Sequence, residues 1–581
     1  MVELGKGEVP ARAVHTKPAG SRSWIALAVV LTAAFMQLID VSIVNVAVAA
    51  IQNGLGASYS QIQWVLAGYT LAFAVLLMAG GRLGDRAGRK RIFLVGMIAF
   101  TAASLLCGAA GSAELLVVAR LLQGLAAALM YPQVYSVIQA TVPPERRGVV
   151  LGILGGIIGL AAITGPLVGG LLIQADLFGW GWRPIFLVNV PVGILAVLLA
   201  LRYLPESRVE NPGAVDLPGV LLVTASLALI VYPLVQGREL DWPKWLFALM
   251  GAGVALLLLF AVYEQYRARS GSSPLVRMSL FRNRSFTGGL VVVILFYGAF
   301  LPFFLVFSLY VQAGLGYTAL QAGVALVPYA LGSAIGSGTS IALAPRLGRP
   351  ILHLGLALLI LGTGATIWVV HRWGTDLHTL QLLPSLVLSG IGFGLTVTPL
   401  VTLVLAKVPL DQAGAASGAL TTAQQIGSAV GIAVLGTFFF GLLGSHADSV
   451  TEAQVPKLKR ELVVLKLDES VADRMIQQYR ACFHDRANEK DPAAVPASCQ
   501  AESNPPGGSS QIQLAAKVAD VLQAEATRDL RTDFAEAAER TLFLQVGLFV
   551  ACFLLVFALP RVRGQELSEF EERSRDTVII G

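Results

Sequence analysis

The chain has 581 residues, of which 55% are hydrophobic, only 13% are charged and 60 are glycine. Soluble globular proteins carry about 25% charged residues, and a mean hydropathy of +0.70 leaves more apolar surface than a soluble domain can bury. The net charge of +6 comes from basic clusters between apolar runs, which is typical of membrane topology and argues against nucleic-acid binding. The 4 cysteines have no metal-binding spacing. The composition therefore predicts a polytopic membrane protein without a nucleic-acid partner, a metal or a cofactor.

Apolar runs recur along the whole chain, and each is long enough to span a bilayer, which takes about 20 residues of helix. Lipid offers backbone groups no hydrogen-bond partners, so each run is expected to be a helix. The chain is therefore predicted to be an all-α polytopic membrane protein with 14 transmembrane helices, arranged as six, two and six. The runs lie near residues 24–51, 61–80, 92–111, 114–141, 148–174, 184–203, 217–236, 245–263, 286–312, 319–344, 351–370, 380–406, 413–443 and 542–560.

This arrangement divides the chain into three membrane units and two tails. We expect a first six-helix bundle at residues 24–204, a two-helix central insert with its flanking loops at 205–285, and a second six-helix bundle at 286–560. Lysine and arginine are concentrated in alternate loops, beginning with the N-terminal tail. This bias predicts a multi-pass protein of the cell membrane whose tails, residues 1–23 and 561–581, are both cytoplasmic.

Residues 444–541, within the second bundle, are expected to face outward and differ in composition from the rest of the chain. Two charged, helix-favouring stretches, Val455–Gln478 and Ile512–Glu539, are separated by a turn rich in proline and glycine, which predicts two helical pieces outside the membrane. Cys482 and Cys499 lie between these stretches. A disulfide and two free thiols are both compatible with an outward position.

Two charged residues lie well inside apolar runs, Asp40 near the middle of the first and Arg120 in the fourth. A charge at the bilayer centre costs about 2.5–3.5 kcal/mol on insertion scales, so an intramembrane carboxylate indicates a functional site. Asp40 is the carboxylate that lies deepest in any predicted span, and we interpret it as a proton carrier. Arg120 is open to two interpretations, a charge used in proton coupling and conformational change, or a plain partner for a carboxylate.

A segment rich in glycine and arginine joins the second and third runs. Its glycines permit tight turning and close helix approach, and its basic residues favour the cytoplasmic face. Its aspartate requires a positive partner or a helix N-terminus. The segment, residues 81–91, is similar to the signature loop of the major facilitator superfamily. The residues that carry this similarity are Gly81, Asp85, Arg86, Gly88, Arg89 and Lys90.

A short repeat relates the two halves of the sequence. Arg82-Leu83-Gly84 follows the second run, and Arg346-Leu347-Gly348 follows the tenth, which is the second run of the last six. Related halves are common in transporters that alternate access to a central site. The repeat therefore favours a six-plus-two-plus-six transporter.

Four further stretches resemble the fourteen-span drug:proton antiporters of the same superfamily. They are residues 38–47 in the first run, Arg120–Gly124 in the fourth, 165–170 in the fifth and Trp182–Pro191 at the entry to the sixth. The resemblance implies the major facilitator fold and a part for Arg120 in proton coupling. It also implies that an antiporter motif in the fifth run occludes the outer side. The residues of that motif are Gly165, Pro166, Gly169 and Gly170.

A conformational role for the signature loop also follows from the resemblance. Asp85 is expected at the N-terminal end of the span that begins near Ala413, where the positive end of the helix dipole attracts a carboxylate. The small residues Gly414–Gly418 permit that approach. Such a contact would hold the two halves together on the cytoplasmic side and favour the outward-open state.

The resemblance implies a proton-coupled secondary active exporter of amphipathic small molecules, such as drugs or antibiotics. We expect it to act as a monomer, with its substrate, protons and the lipid bilayer as its partners. Export of a lipid or another envelope component is the alternative. A membrane-embedded enzyme is disfavoured because the sequence has no HExxH, no GxSxG and no paired intramembrane carboxylates. The side chains expected to line a substrate cavity are Asn45, Tyr69, Gln123, Tyr131, Tyr297 and Gln424.

Overall fold

The computed structural model describes ten stretches of the chain. Two predictions fall largely outside them, namely the tails at residues 1–23 and 561–581. The turn rich in proline and glycine also lies outside. The described residues are 21–142, 144–208, 216–270, 274–276, 278–405, 408, 413–465, 467–488, 496–499 and 509–559.

Within these stretches the regular structure is entirely helical. The described residues form sixteen α-helices, with short 3-10 turns between some of them, and a π-helical turn, Tyr310–Gly314, follows the tenth helix. The α-helices are α1 (Ser21–Leu55), α2 (Tyr59–Ala87), α3 (Arg89–Gly108), α4 (Ala113–Thr141), α5 (Pro144–Ala175), α6 (Pro184–Leu187), α7 (Asn189–Tyr203), α8 (Leu217–Gln236), α9 (Lys244–Arg269), α10 (Arg284–Leu309), α11 (Ala319–Leu347), α12 (Pro350–Trp373), α13 (Thr379–Leu405), α14 (Ala413–Val464), α15 (Glu469–Asn488) and α16 (Ser509–Val556).

Thirteen helical segments in the described part of the chain are long and apolar enough to cross a membrane, with α6 and α7 together forming one of them. The remaining predicted span coincides with α5, a 32-residue helix. Several side chains in the first two thirds of α5 are not described, and its described apolar stretch, Thr164–Ala175, is shorter than a full span. The architecture is therefore compatible with fourteen membrane helices.

The helices α2 and α11 begin and end in the same way. Each starts with a capping box, Ser58 with Gln61 and Thr318 with Gln321, in which the hydroxyl and the glutamine side chain satisfy each other's backbone N–H groups. Each ends at a glycine with positive φ, +107° at Gly88 and +60° at Gly348. These shared caps support the relation between the two halves that the Arg-Leu-Gly repeat indicated.

Helix packing forms two groups that meet along two seams. In the first group α4 packs on α2 and α3, and α1 packs on α5. In the second group α13 packs on α11 and α12, and α10 packs on α14. The groups meet where α2 contacts α14 and where α5 contacts α11, and the pair α8 and α9 lies outside, with α8 against α2 and α14.

The described residues of the segment 444–541 form a helical layer over one end of the molecule. A 52-residue helix such as α14 is about 78 Å long at 1.5 Å per residue, more than twice the thickness of a hydrocarbon core. Its last turns, together with α15 and the first part of α16, therefore lie beyond the membrane. We call the end of the molecule that carries this layer the capped face, and the end that carries residues 81–91 the motif face.

The cap corrects one predicted helix and resolves one open alternative. Val455–Gln478 is not one helix, because α14 ends at Val464 and α15 begins at Glu469. The chain reverses there so that Leu458 and Leu462 pack against Ile476 of α15 in a small apolar core. Cys482 and Cys499 form a disulfide. The predicted stretch Ile512–Glu539 lies within α16, which continues without a break into the last membrane span.

Candidate functional site

Asp40 lies in the middle of α1 and has no exposed surface. Its carboxylate accepts three hydrogen bonds, two from α4 and one from the first residue of α7. Arg120 Nη1 donates to Oδ2 at 2.6 Å, Gln123 Nε2 donates to Oδ1 at 2.8 Å, and Asn189 Nδ2 donates to Oδ1 at 3.0 Å. One carboxylate is therefore matched by one guanidinium and two amides inside the first bundle.

Arg120 is also buried, with a relative exposure of 1%, and all of its contacts are internal. Its Nε donates to the carbonyl oxygen of Val65 at 3.0 Å, and its Nη1 also donates to Gln123 Oε1 at 2.7 Å. The guanidinium stacks over the ring of Tyr69, 4.2 Å from the ring centroid, where the π face favours a cation. The pair of charges thus sits in a fully satisfied polar site, which a buried ion pair requires.

Sequence reasoning selected Asp40, Arg120, Gln123 and Tyr69, and the structure brings these four together. It missed Asn189, the first residue of α7, and Ser104, which accepts a hydrogen bond from Gln123 Nε2 at 2.9 Å. Asn189 stands in the stretch Trp182–Pro191 that carried the family resemblance. Its signal was a lone amide within an apolar run.

The signature segment is two helices joined at one glycine, since α2 continues to Ala87 and α3 begins at Arg89. Gly88 has a φ of +107°, which residues with a side chain rarely adopt, and a Cβ there would also lie 2.6 Å from Glu206 Oε1. Glu206 accepts the backbone N–H of Lys90 at 3.2 Å and thereby caps the positive end of α3. Glu206 is a further residue that the sequence did not identify.

The other residues of the signature segment occupy different surroundings. Gly81 faces Pro132 of α4, and Arg86 is exposed. Asp85 accepts hydrogen bonds from Arg89, with the closest contact at 3.0 Å. Side chains at the start of α14 lie outside the described residues, so the predicted contact of Asp85 there remains a prediction.

The glycines of the predicted antiporter motif allow α5 to pack closely against helices of both groups. A Cβ at Gly165 would collide with Ser42 Oγ of α1, and one at Gly170 would lie 2.5 Å from the Cα of Leu320 of α11. A Cβ at Gly323 of α11 would collide with the carbonyl oxygen of Pro166. Because only glycine permits these approaches, the motif joins α1, α5 and α11 near the capped face. Gly169 faces Ile43 of α1 in the same way.

The predicted cavity residues lie on both sides of the interface between the groups. Tyr131 stacks edge to face with Phe73 and Tyr135 in the first group. In the second group, Gln424 Nε2 donates to the hydroxyl of Tyr297 at 3.2 Å. Asn45 instead donates to the carbonyl oxygen of Val41 one turn earlier in its own helix.

An aromatic cluster that the sequence did not identify adjoins Tyr297. Phe300 stacks on Phe393 with ring centroids 4.0 Å apart, and Tyr329 lies against both Phe300 and Phe304. The Tyr329 hydroxyl is buried with no hydrogen-bond partner in the described structure. These side chains give the second group a broad aromatic surface with one available hydroxyl.

The fold and the site together define a polytopic membrane transporter, built from two groups of helices with a buried ion pair inside the first group. The sequence model described as Major Facilitator Superfamily matches residues 30–432. The chain belongs to the major facilitator superfamily.

The chain is similar in sequence to proteins described as transport, export or resistance proteins. A Streptomyces coelicolor protein described as a probable actinorhodin transporter is 39% identical over 545 residues, covering 94% of this chain and 93% of the relative. The tetracenomycin C resistance and export protein of Streptomyces glaucescens is 32% identical over 77% of this chain and 82% of its own length. The puromycin resistance protein pur8 of Streptomyces alboniger is 36% identical over 75% of this chain and 86% of its own length.

Solved structures agree with the fold. A bacterial homologue of the human lysosomal transporter Spinster, in an inward-facing and occupied conformation, has a TM-score of 0.58 at 16% identity. That comparison covers 93% of this chain and 97% of the other. A D-xylose-proton symporter has a TM-score of 0.51 at 15% identity, covering 72% of this chain and 90% of the symporter.

Proposed function

We propose that the chain is a proton-coupled exporter of amphipathic small molecules such as drugs or antibiotics, and not an enzyme. The observation that carries this proposal is the Asp40–Arg120 pair, buried at the centre of the first bundle and 2.6 Å apart. A secondary transporter needs a group whose charge changes as access changes sides. A lone carboxylate in the membrane interior meets that need.

Proton exchange at Asp40 would act through Arg120. When Asp40 is ionised, the guanidinium has a counter-charge and the helices α1 and α4 are held together. When Asp40 is protonated, Arg120 loses that counter-charge and keeps the Val65 carbonyl and Gln123 as its described acceptors. Because an unbalanced buried charge is costly, protonation favours a different packing of the helices. The ion pair can therefore bias a conformational equilibrium.

The closed seam at the capped face supports a particular step of the cycle. The glycines of α5 and α11 bring the two groups into contact there, while the Asp40–Arg120 pair is formed. An ionised Asp40–Arg120 pair together with a closed capped face is the arrangement expected after the proton has left Asp40 toward the motif face. We propose that the capped face is extracellular, that both termini are cytoplasmic, and that the transporter works as a monomer.

The relatives support antibiotics and drugs as the substrate class. Their names refer to actinorhodin, tetracenomycin C and puromycin, and the match to the first runs along 94% of this chain. Since the cap holds 98 of the 581 residues, most of it lies within that match. The aromatic surface around Phe300, Phe393 and Tyr329 suits a planar, apolar compound.

Transport in proteoliposomes tests the proposal. With an acidic lumen, wild type should accumulate puromycin or another antibiotic and release protons, which a lumenal pH dye reports. Asp40→Asn keeps the volume and removes the titratable group, so gradient-driven uptake should fall to the level of empty vesicles while the protein stays folded. Asp376→Asn makes the same change at an exposed aspartate and should transport like wild type.

Two outcomes would contradict the proposal. If Asp40→Asn accumulates antibiotic as wild type does, the proton site lies elsewhere. If no antibiotic moves but a fluorescent phospholipid crosses the bilayer in a gradient-dependent way, the substrate is an envelope lipid.

Labelling of intact cells tests the proposed orientation. Glu469, at the start of α15, is 72% exposed, and Arg284 lies at the motif face. A cysteine at position 469 should react with a membrane-impermeant maleimide, whereas one at position 284 should react only after permeabilisation. The reverse pattern would place the cap in the cytoplasm.

Asp85 is proposed to change partners during the cycle. In the present state its described partner is Arg89. In the outward-open state it would move to the N-terminal end of α14, as the family resemblance implies. Cysteines at positions 85 and 414 should therefore cross-link when the capped face is open. A failure to cross-link in protein that is held in the outward-open state would contradict this role.

A further inference from the structure

A second pair of buried acids lies in the central insert, away from Asp40. Asp216 precedes the first turn of α8, and Glu264 lies near the end of α9; both have no exposed surface. Glu264 is one residue beyond the predicted apolar run 245–263, so the sequence assigned it no role.

The two carboxyl groups face each other across one small residue. A Cβ at Gly219 would lie 2.6 Å from Glu264 Oε1 and 2.8 Å from Asp216 Oδ2. These same two oxygens are buried and accept no hydrogen bond in the described structure, although Arg267 forms an ion pair with Asp216 Oδ2. As two carboxylates they would repel each other without a donor between them. A single proton on one of them satisfies both.

The remaining oxygens are held by fixed donors. Asp216 Oδ1 accepts the N–H of Gly219 and the hydroxyl of Tyr263, each at 3.0 Å, and Arg267 Nε lies 3.2 Å from Oδ2 as an ion pair. Burial alone would raise the pKa of Asp216, but hydrogen bonds from Glu264, Gly219 and Tyr263 and the charge of Arg267 hold that pKa below its ordinary value. Asp216 is thus the ionised member, and Glu264 carries the proton.

Glu264 is linked to the signature segment through three residues of the following loop. Its Oε2 accepts the N–H of Val276 at 2.7 Å. The carbonyl oxygens of Pro274 and Leu275, immediately before, accept hydrogen bonds from Arg82 at the end of α2. A change at Glu264 therefore reaches the motif face through Pro274–Val276.

We propose that Asp216 and Glu264 form a second proton-binding site, in which one shared proton holds the loop Pro274–Val276 against Arg82 of the signature segment. When that proton leaves, two buried negative charges face each other and Arg267 balances one of them. Glu264 then turns away, Val276 loses its acceptor and the loop is released. Among the described residues, the charged or titratable groups around the pair are Tyr263, Arg267 and Arg82. The site lies at the motif face, so it responds to proton concentration on that side.

Cysteine labelling at the loop tests this second site. Leu275 is 5% exposed and Ser270, nearby, is exposed. We replace Cys107 and Cys552 with alanine, introduce Leu275→Cys or Ser270→Cys, and measure maleimide reaction rates in detergent from pH 6 to pH 9. We divide the reaction rate of the Leu275→Cys variant by that of the Ser270→Cys variant. This ratio removes the intrinsic pH dependence of thiol reactivity. In the otherwise wild-type chain this ratio should rise about tenfold as the shared proton is lost.

Neutral variants should keep the loop closed. In Glu264→Gln the amide can donate to Asp216 Oδ2 and its oxygen can accept from Val276, so the ratio should stay low at every pH. Asp216→Asn removes the other charge and should flatten the profile in the same way, which guards against one variant failing to fold. Glu469→Gln, at an exposed glutamate of the cap, should keep the wild-type profile.

Three results would overturn the second site. They are a flat ratio in the wild-type background, a wild-type rise in both neutral variants, and a loop that is reactive at every pH in folded Glu264→Gln. The labelling needs neither substrate nor gradient, so its failure is separate from a failure of proton-coupled export. Conversely, Glu264→Gln should still drive uptake in proteoliposomes, whereas Asp40→Asn should not.

Discussion

Buried acids in the membrane centre and in the cap are held in opposite ways. In the centre, one carboxylate, Asp40, has one guanidinium and two amides. In the cap, three carboxylates stand one turn apart on the same face of α16, and one lysine accompanies them. Glu525, Asp529 and Asp533 are 3%, 0% and 2% exposed.

The contacts in the cap leave more buried acids than cations to balance them. Lys457 Nζ lies 2.9 Å from Glu525 Oε2, and the Tyr479 hydroxyl donates to Asp529 Oδ2 at 2.6 Å. Burial and then the Asp529 carboxylate raise the pKa of Tyr479, so it stays a donor. One oxygen on each of the three acids has no donor in the described structure.

The difference lies in charge balance rather than in depth of burial. The membrane site matches its acid with one cation, so the loss of either member should be expensive. The cap holds more buried acids than cations, so the loss of its lysine should be harmful and the loss of one acid should be harmless or favourable. Four substitutions test this contrast, in order of decreasing expected effect.

Removing the cation at the membrane centre should have the largest effect. Arg120→Gln leaves Asp40 buried without its counter-charge, and breaking such a pair costs about 3–5 kcal/mol. The thermal unfolding midpoint in detergent should fall sharply, whereas Arg372→Gln, at an exposed arginine, should leave it unchanged. The double variant with Asp40→Asn should lose less than the sum of the single changes. Additive losses would show that the two residues do not act as a pair.

Removing the cation in the cap should cost less. Lys457→Met leaves Glu525 without its ion-pair partner, but the lysine side chain is 34% exposed, so we expect a loss of about 1–2 kcal/mol in unfolding free energy. Lys459→Met, whose acidic partners are exposed, is the matched control and should leave the unfolding free energy nearly unchanged. Equal losses in the two variants would mean that burial of Glu525 has no energetic consequence.

Removing one amide at the membrane centre should have a modest effect. Asn189→Leu keeps the approximate volume and deletes one of the three donors to Asp40, for an expected loss of about 1 kcal/mol. The same variant should also slow gradient-driven uptake, because the ionised carboxylate is less well held. Unchanged stability together with unchanged uptake would remove Asn189 from the site.

Neutralising one acid of the cap should have the smallest effect and the opposite sign. Burial raises the pKa of Asp533 to about 8, so folding costs free energy at pH 8, where the unfolded chain ionises this acid fully. Asp533→Asn removes that cost and should raise the unfolding free energy at pH 8 by up to about 1 kcal/mol. Asp520→Asn, at an exposed position of the same helix, should leave it unchanged. A clear loss of stability in Asp533→Asn would contradict the proposed excess of buried acids.

Much of the fold could be predicted because a membrane imposes local rules on a sequence. Helix positions follow from apolar runs, although the segment 81–91, predicted as a loop, is helical on both sides of Gly88. The reversal between Val464 and Glu469 could not be predicted, because both sides are helix-favouring and the break depends on Leu462 meeting Ile476. The contact between Asn189 and Asp40 could not be predicted for the same reason, because it depends on how α7 packs against α1.

By itself, the sequence determined the class of protein, and it predicted the sites of chemistry and a six-plus-two-plus-six plan, since hydropathy and motifs are read from neighbouring residues. The tertiary structure decided which residues meet. Asp40 and Arg120 are 80 positions apart in the sequence, and Asp40 and Asn189 are 149 apart. Asp216, at the start of α8, faces Glu264 of α9. Such contacts depend on how helices pack, and only packing turns isolated polar residues into a balanced ion pair at one site and an unbalanced pair of acids at another.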